Sequence, residues 1–181
     1  MIYMFLAEGF EEVEALTPLD LLIRAGADIK TVGIGGKRIR GSHGIEISAD
    51  LSDDEFTSLT AEMIILPGGM PGTLNLEASQ TVMDAVRIAS KNNAFIAAIC
   101  AAPSILGHAG LLSGKAAVCF PGFEDSLKGA MISECGVVRD GNIITAAGMG
   151  VALEFGLALV EALYGKEKAN ELFCGTQASR R

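Results

Sequence analysis

Apolar and polar positions fall into alternating blocks along this chain. "IYMFLA", "AEMIILPGG" and "AFIAAIC" are short apolar runs too continuous to leave one side in water. Such runs predict strands buried on both faces. Between them the spacing changes to a helical one. In "GFEEVEALTPLDLLIRAGA" the apolar Val13, Leu16, Leu19 and Ile23 recur at helical intervals, with Pro18 inside as a kink and Gly26 as the stop. "TLNLEASQTVMDAVRIASKNN" predicts one helix closed by its Lys-Asn-Asn tail, and "APSILGHAGLL" predicts the next. "GVALEFGLALVEALYGKEKANELF" predicts a long final helix or helix pair. "DIKTVGIG" reads as the second strand, and "KRIRGSHGIEISAD" as a turn with a further strand or hairpin. The Asp-Gly between the β-branched runs of "VVRDGNII" predicts a hairpin.

Strands separated by helices describe an α/β sandwich, a largely parallel sheet with helices on both faces. At 181 residues, and with no repeat or linker, the expectation is one domain over 1–181. Half the residues are hydrophobic and mean hydropathy is +0.40. The net charge of −8 repels phosphate backbones and argues against nucleic-acid or anionic-membrane partners. No apolar run approaches the ~18 residues of a spanning helix. The N-terminal "MIYMFLAEGF" lacks a basic region and a cleavage site, so it reads as the first strand of a cytoplasmic protein. The four cysteines form no CxxC pair, and with only His43 and His108 beside them no zinc set is expected. They are expected to be reduced thiols, with Cys119, Cys135 and Cys174 as small buried hydrophobes.

In an open parallel sheet, ligands bind beyond the carboxyl ends of the strands, near the point where strand order reverses. Two strand ends stand out, "ILPGGM" and "AAICAAP". Cys100 ends a strand with a helix starting just behind it, so unsatisfied N–H groups would lie near its sulfur. The flanking alanines permit a sharp strand-to-helix elbow of the kind that exposes a nucleophile. Pro67-Gly68-Gly69 leaves N–H groups free of side chains, and with Ala101 these could face a developing oxyanion. The plainer alternatives are a filling cysteine and an ordinary turn. Glu11, Glu12 and Glu14 suit a solvated helix start, yet Glu14 shares its helical face with Pro18 and Leu21/Leu22. A carboxyl on a buried face is unusual.

"AICAAP", "LPGG", "AEGFEEVEALTPLDLLIRAG" and "ITAAGMGVALEFGLALVEAL", in this order, resemble the ThiJ/PfpI family over essentially the whole chain. The branch most similar holds the Parkinson-disease-associated protein deglycase and YajL-like bacterial proteins. The resemblance implies a flavodoxin-like fold and a homodimer. It also implies Cys100 as nucleophile, Glu14 as its carboxyl partner, and Gly68, Gly69 and Ala101 as the oxyanion site. Neither metal nor organic cofactor is implied. The activity implied is on α-oxoaldehydes or glycated proteins, as glyoxalase or deglycase. A non-enzymatic redox sensor or chaperone-like protein is the alternative, and an amidase or peptidase a weaker one. Many relatives carry a histidine where this chain has Phe120 before Pro121, so no Cys-His pair is expected there. His108 reads as a helix-end residue. Of the basic positions near the site in relatives, only Arg24 is kept; His43 and Ala147 stand at two others.

A thiolate beside a carboxylate is disfavoured, so Glu14 assists Cys100 only when it is protonated and donates its O–H to sulfur. The expectation is therefore a hydrogen-bonded pair sharing one proton, with Glu14 buried and its pKa raised.

Overall fold

In this computed structural model, which describes residues 1–57 and 60–178, strand β1 (Ile2–Leu6) is buried at every residue and lies inside a seven-stranded sheet. It is followed by α1 (Glu12–Arg24), β2 (Ile29–Gly33), a hairpin of β3 (Arg38–Arg40) and β4 (Glu46–Ser48), and β5 (Leu51–Ser52). Next come β6 (Met63–Leu66), α2 (Gly72–Ala78), α3 (Gln80–Lys91), β7 (Phe95–Ile99) and α4 (Pro103–His108). The last part holds β8 (Ala116–Ala117), β9 (Met131–Ile132), β10 (Val137–Asp140), β11 (Ile143–Ala146), α5 (Ala152–Tyr164) and α6 (Lys166–Gly175).

The sheet order is β10-β11-β7-β6-β1-β2-β5, and every pairing is parallel except β10 with β11. Alternate residues of each strand point to opposite faces. Tyr3, Phe5, Ile64, Leu66, Ile96 and Ala98 build one core with side chains of α2, α3 and α4. Met4, Leu6, Met63, Ile65, Ala97 and Ile99 build the other with α1, α5 and α6. Both clusters share the one sheet, which is the expected flavodoxin-like arrangement. The continuous apolar runs are explained by this two-sided burial. No helix among the described residues is long and apolar enough to cross a membrane.

Helix α1 turns a different face inward from the one its Val13/Leu16/Leu19/Ile23 spacing predicts. Val13 and Ile23 are 41% and 58% exposed, while Glu12, Glu14, Ala15, Pro18, Leu21 and Leu22 are buried. The reason is α5, which packs closely on that side. A methyl on Gly156 would lie 2.6 Å from Leu21 Cδ1 and 3.0 Å from Pro18 Cα, so only glycine permits this approach. Pro18 sits within the helix and does not end it. Gly26, at φ +85°, closes α1 while Ala27 N–H bonds the Leu22 carbonyl at 3.0 Å.

The single helix expected after "LPGGM" is two. Ser79 is extended between them and its Oγ accepts from Val82 N–H at 3.4 Å, capping α3. Helix α4 ends at His108, earlier than the pattern suggests, with Gly110 at φ +74° just beyond. The Asp-Gly hairpin forms with Asp140 opposite Ile143, leaving Gly141 and Asn142 as its loop. The cysteines require a correction: Cys119 is buried, but Cys135 and Cys174 are exposed. Cys135 lies in the connection before β10, outside any packed face, and Cys174 on the outer side of α6.

Candidate active site

Strand order reverses between β1 and β6, since β2 follows on one side and β7 on the other. The connections leaving β1, β6 and β7 therefore meet at one crevice. They carry Glu14, Gly68-Gly69 and Cys100 respectively.

Cys100 directly follows β7 and has φ +65°, the left-handed region that L-residues seldom adopt. Holding a non-glycine there costs about 1–3 kcal/mol, so the surroundings must fix it. They do so through its own peptide groups. Cys100 N–H donates to the Ala146 carbonyl at 2.8 Å, and the Cys100 carbonyl accepts from Phe120 N–H at 2.8 Å. The side chain is half-buried and its sulfur accepts from the N–H groups of Gly69 and Ala101. Only α4, led by Pro103, follows behind. This is the strand-to-helix elbow the flanking alanines predict.

Glu14 is 1% exposed and its carboxyl lies beside the Cys100 side chain, close enough that each shifts the other's proton affinity. Gly68 N–H donates to Oε2 at 3.1 Å, and Met149 N–H is a further donor. Burial pushes the carboxyl up to about 7 and the Glu11 charge adds to this, while the bonds from Cys100, Gly68 and Met149 work against it. Burial also pushes the Cys100 thiol up, to about 12, and the carboxylate beside it pushes the same way against the Gly69 and Ala101 amides. The elbow by itself therefore does not depress the thiol. Both groups are raised because neither charge is well solvated, and between these values the pair's one proton sits mainly on sulfur, beside a Glu14 carboxylate.

Gly68 is what lets the two meet. A methyl there would lie 2.5 Å from Glu14 Oε2 and 2.6 Å from Cys100 Cβ. Its N–H serves the carboxyl, so Gly69 and Ala101 are the amides directed at sulfur. The half-exposed Phe120 ring borders the crevice: a methyl on Gly148 would lie 3.2 Å from Phe120 Cδ2 and 3.8 Å from Glu14 Oε1.

The remaining sequence candidates lie elsewhere. His108 pairs with Glu77 at 2.6 Å, at the far end of α4 from the elbow. Arg24 bonds Asp20 at 2.6 Å and sits ten residues along α1 from Glu14, about 15 Å by helical rise. His43 Nδ1 lies 2.9 Å from Glu12 and 3.3 Å from Glu11. Glu12 is not the solvated helix-start residue its position suggests. It is 4% exposed and accepts from His43 N–H at 2.8 Å and Ile45 N–H at 3.3 Å, tying the β3–β4 hairpin to α1. Burial would raise its pKa, but the His43 side chain and these N–H groups outweigh it and hold the carboxyl down to about 2. His43 is raised in turn, first by its bond to Glu12 and then by the Glu11 and Glu12 charges. Glu11, Glu12 and His43 also bring one potential metal-ligating atom each within 4.8 Å of one another, a grouping hidden in the sequence by the intervening strands.

The DJ-1/PfpI family pattern matches residues 1–162. The chain belongs to this family. Protein dj-1beta of Drosophila melanogaster is 37% identical over 175 residues, covering 95% of this chain and 94% of the relative. The glutathione-independent glyoxalase DJR-1.2 of Caenorhabditis elegans is 30% identical over 167 residues, covering 91% and 89%. Among solved structures, oxidized Toxoplasma gondii DJ-1 superposes with a TM-score of 0.93 at 33% identity, covering 97% of each chain. Family membership accords with the motif order from which the resemblance was drawn. The donors from Met149 and Phe120 carried no signal in the sequence, because both act through backbone groups that any residue would supply.

Proposed function

We propose that this protein processes α-oxoaldehydes, free or as protein adducts, with Cys100 as nucleophile and Glu14 as its proton partner. The observation that supports this most is the buried Glu14 carboxyl beside a thiol at a left-handed elbow. A relative named as a glutathione-independent glyoxalase supports the substrate class.

When Glu14 holds the shared proton, sulfur is the thiolate. It adds to the aldehyde carbon, the carbonyl electron pair moves to oxygen, and Glu14 delivers its proton to that oxygen. The product is a hemithioacetal at Cys100. Transfer of the aldehyde hydrogen to the neighbouring carbonyl carbon gives a 2-hydroxyacyl thioester, which water hydrolyses. The sum is addition of water to the oxoaldehyde, so no oxidant or cofactor enters the balance. Gly69 and Ala101 amides serve as oxyanion donors in this reading. Gly68 is assigned to the carboxyl.

The working form is a cytoplasmic homodimer. Its motivation is the family resemblance and the exposed apolar residues Val13 and Ile23 on α1 and Ile45 in the β3–β4 hairpin.

The test is methylglyoxal consumption without added thiol, with 2-hydroxy acid measured as product. Cys100→Ser should fall to background. Equal turnover by wild type and Cys100→Ser would overturn the reading. The second reading, a redox sensor acting through oxidation of Cys100, is favoured by the half-buried but reachable thiol. A wild type that consumes no oxoaldehyde yet changes partner binding when Cys100 is oxidised would select it.

A further inference from the structure

Two thiols outside the Glu14–Cys100 site, Cys119 and Cys135, line one hollow of about 300 Å³ together with Glu124, Ser133, Glu134 and Ala147. Their proximity follows from the local fold. Strands β8 and β9 run parallel with Ala117 opposite Ile132, and Ser133 N–H continues the ribbon onto the Ala117 carbonyl at 2.9 Å. Cys119 and Cys135 leave the same end of that ribbon. Beyond it, both segments are tied to one short stretch. Val118 N–H bonds Thr145 Oγ1 at 3.0 Å, and the Gly136 carbonyl accepts from Ala147 N–H at 2.9 Å. Continued register sets Cys119 opposite Glu134, one residue from Cys135, where a bond from Cys135 N–H to Ser133 Oγ turns the chain. Across a strand spacing of about 4.8 Å with a rise of about 3.3 Å, this one-residue offset puts the Cys119 and Cys135 Cα atoms about 5.8 Å apart. That is within the roughly 4.4–6.8 Å a disulfide spans, and both residues line the one hollow.

We propose that Cys119 and Cys135 are a second redox site, oxidised to an intrachain disulfide by small-molecule disulfides of the glutathione type. The order of events follows from exposure. Cys135 is open to solvent, whereas Cys119 is 5% exposed. The Cys135 thiolate attacks one sulfur of glutathione disulfide; a protein–glutathione bond forms, the original S–S bond breaks, and one glutathione thiolate leaves. Cys119 then loses its proton to solvent and attacks the Cys135 sulfur from inside the hollow, expelling the second glutathione thiolate. Two protein thiols are oxidised and one glutathione disulfide is reduced to two glutathiones. Cys174, exposed on α6 and outside this hollow, provides the internal comparison.

The test uses the wild-type chain. It is incubated with glutathione disulfide, remaining thiols are blocked with iodoacetamide, and trypsin digestion is run without reduction. Cleavage after Lys115, Lys128 and Arg139 puts Cys119 and Cys135 in separate peptides, 116–128 and 129–139. The expected product is these peptides joined, two hydrogens lighter than their sum, with Cys174 carrying glutathione. Cys119→Ala should instead leave Cys135 as a stable glutathione adduct. A wild type in which Cys135 keeps glutathione while Cys119 is alkylated would overturn the proposal. So would Cys135 joined to Cys135 of a second chain.

Discussion

The Glu14 carboxyl lies beside the Cys100 side chain inside the crevice while Gly68 N–H holds its Oε2 at 3.1 Å. A carboxyl raised from 4.5 to about 7 in the folded chain binds its proton more tightly there than in the unfolded chain. Its contribution to stability is fully present below pH 4.5 and is lost as pH rises through 7.

Glu14→Gln removes this titration while keeping the shape and a donor toward sulfur. Relative to wild type, the variant should gain about 3 kcal/mol between pH 4 and pH 8, from roughly 1.4 kcal/mol per pKa unit. Urea denaturation at the two pH values measures the difference. A pH-independent offset would mean that Glu14 titrates normally.

Gly68→Ala forces a methyl against both Glu14 Oε2 and Cys100 Cβ. The carboxyl or the elbow must move. We expect a loss of about 1–3 kcal/mol in stability, the usual range for overpacking. Turnover should fall by more than that loss accounts for, because the surviving folded protein no longer pairs the two groups. Unchanged activity per folded molecule would argue against the pairing.

The parts of this site that were legible in the sequence are those where a local pattern conflicts with its surroundings. Glu14 stood on a face with Pro18 and Leu21/Leu22, and Cys100 interrupted a run of small apolar residues at a strand end. Both signals survive because burial on one helix face and the end of one strand are local properties. Glu12 was misread for the complementary reason. Its neutralising partners, His43 and the N–H groups of His43 and Ile45, arrive from a hairpin two strands away. Val13 and Ile23 misled in the opposite direction, since helical spacing reports a shared face but not whether anything covers it. The break at Ser79 was hidden because its flanking segments keep helical composition on both sides.

Glu12→Gln tests the hairpin tether. With its pKa held down to about 2, Glu12 contributes stability above pH 4.5 that is lost as pH falls through 2. The wild type should exceed the variant by about 3 kcal/mol at pH 5, narrowing toward zero near pH 2. His43, whose pKa is raised, stays protonated across this window and does not contribute to the slope. Parallel acid-unfolding curves for the two proteins would remove Glu12 from that role.

Val13→Glu places a charge on the exposed strip of α1 that the dimer reading uses. At micromolar concentration light scattering should give twice the chain mass for wild type and the chain mass for the variant. Far-UV circular dichroism should be unchanged, because Val13 contributes nothing to the buried face. A monomeric wild type would reject the homodimer.

Peroxide should oxidise Cys100 first and stop at sulfinate. Each of two peroxide molecules transfers one oxygen to sulfur and leaves as water, and only the thiolate attacks. Between pH 7 and 12 the Glu14–Cys100 pair holds one proton, mainly on sulfur, and Cys100 reacts through the minor form in which Glu14 holds it. Cys119 is 5% exposed, so peroxide reaches it less readily than the half-buried Cys100, and burial and then the Glu124 charge push its thiol up to about 11. Once formed, the sulfinate offers oxygens to donors already in place, the protonated Glu14 and the Gly69 and Ala101 amides, so its lone pair is less available for a third oxygen. Glu14→Leu removes both the proton partner and one of these donors. Mass spectrometry after limited peroxide treatment should therefore find sulfinate at Cys100 in wild type. In the variant, what reacts should proceed to sulfonate, because the oxidised sulfur has lost the Glu14 donor. Equal products in the two proteins, or oxygen appearing first at Cys119, Cys135 or Cys174, would show that Glu14 does not control this thiol.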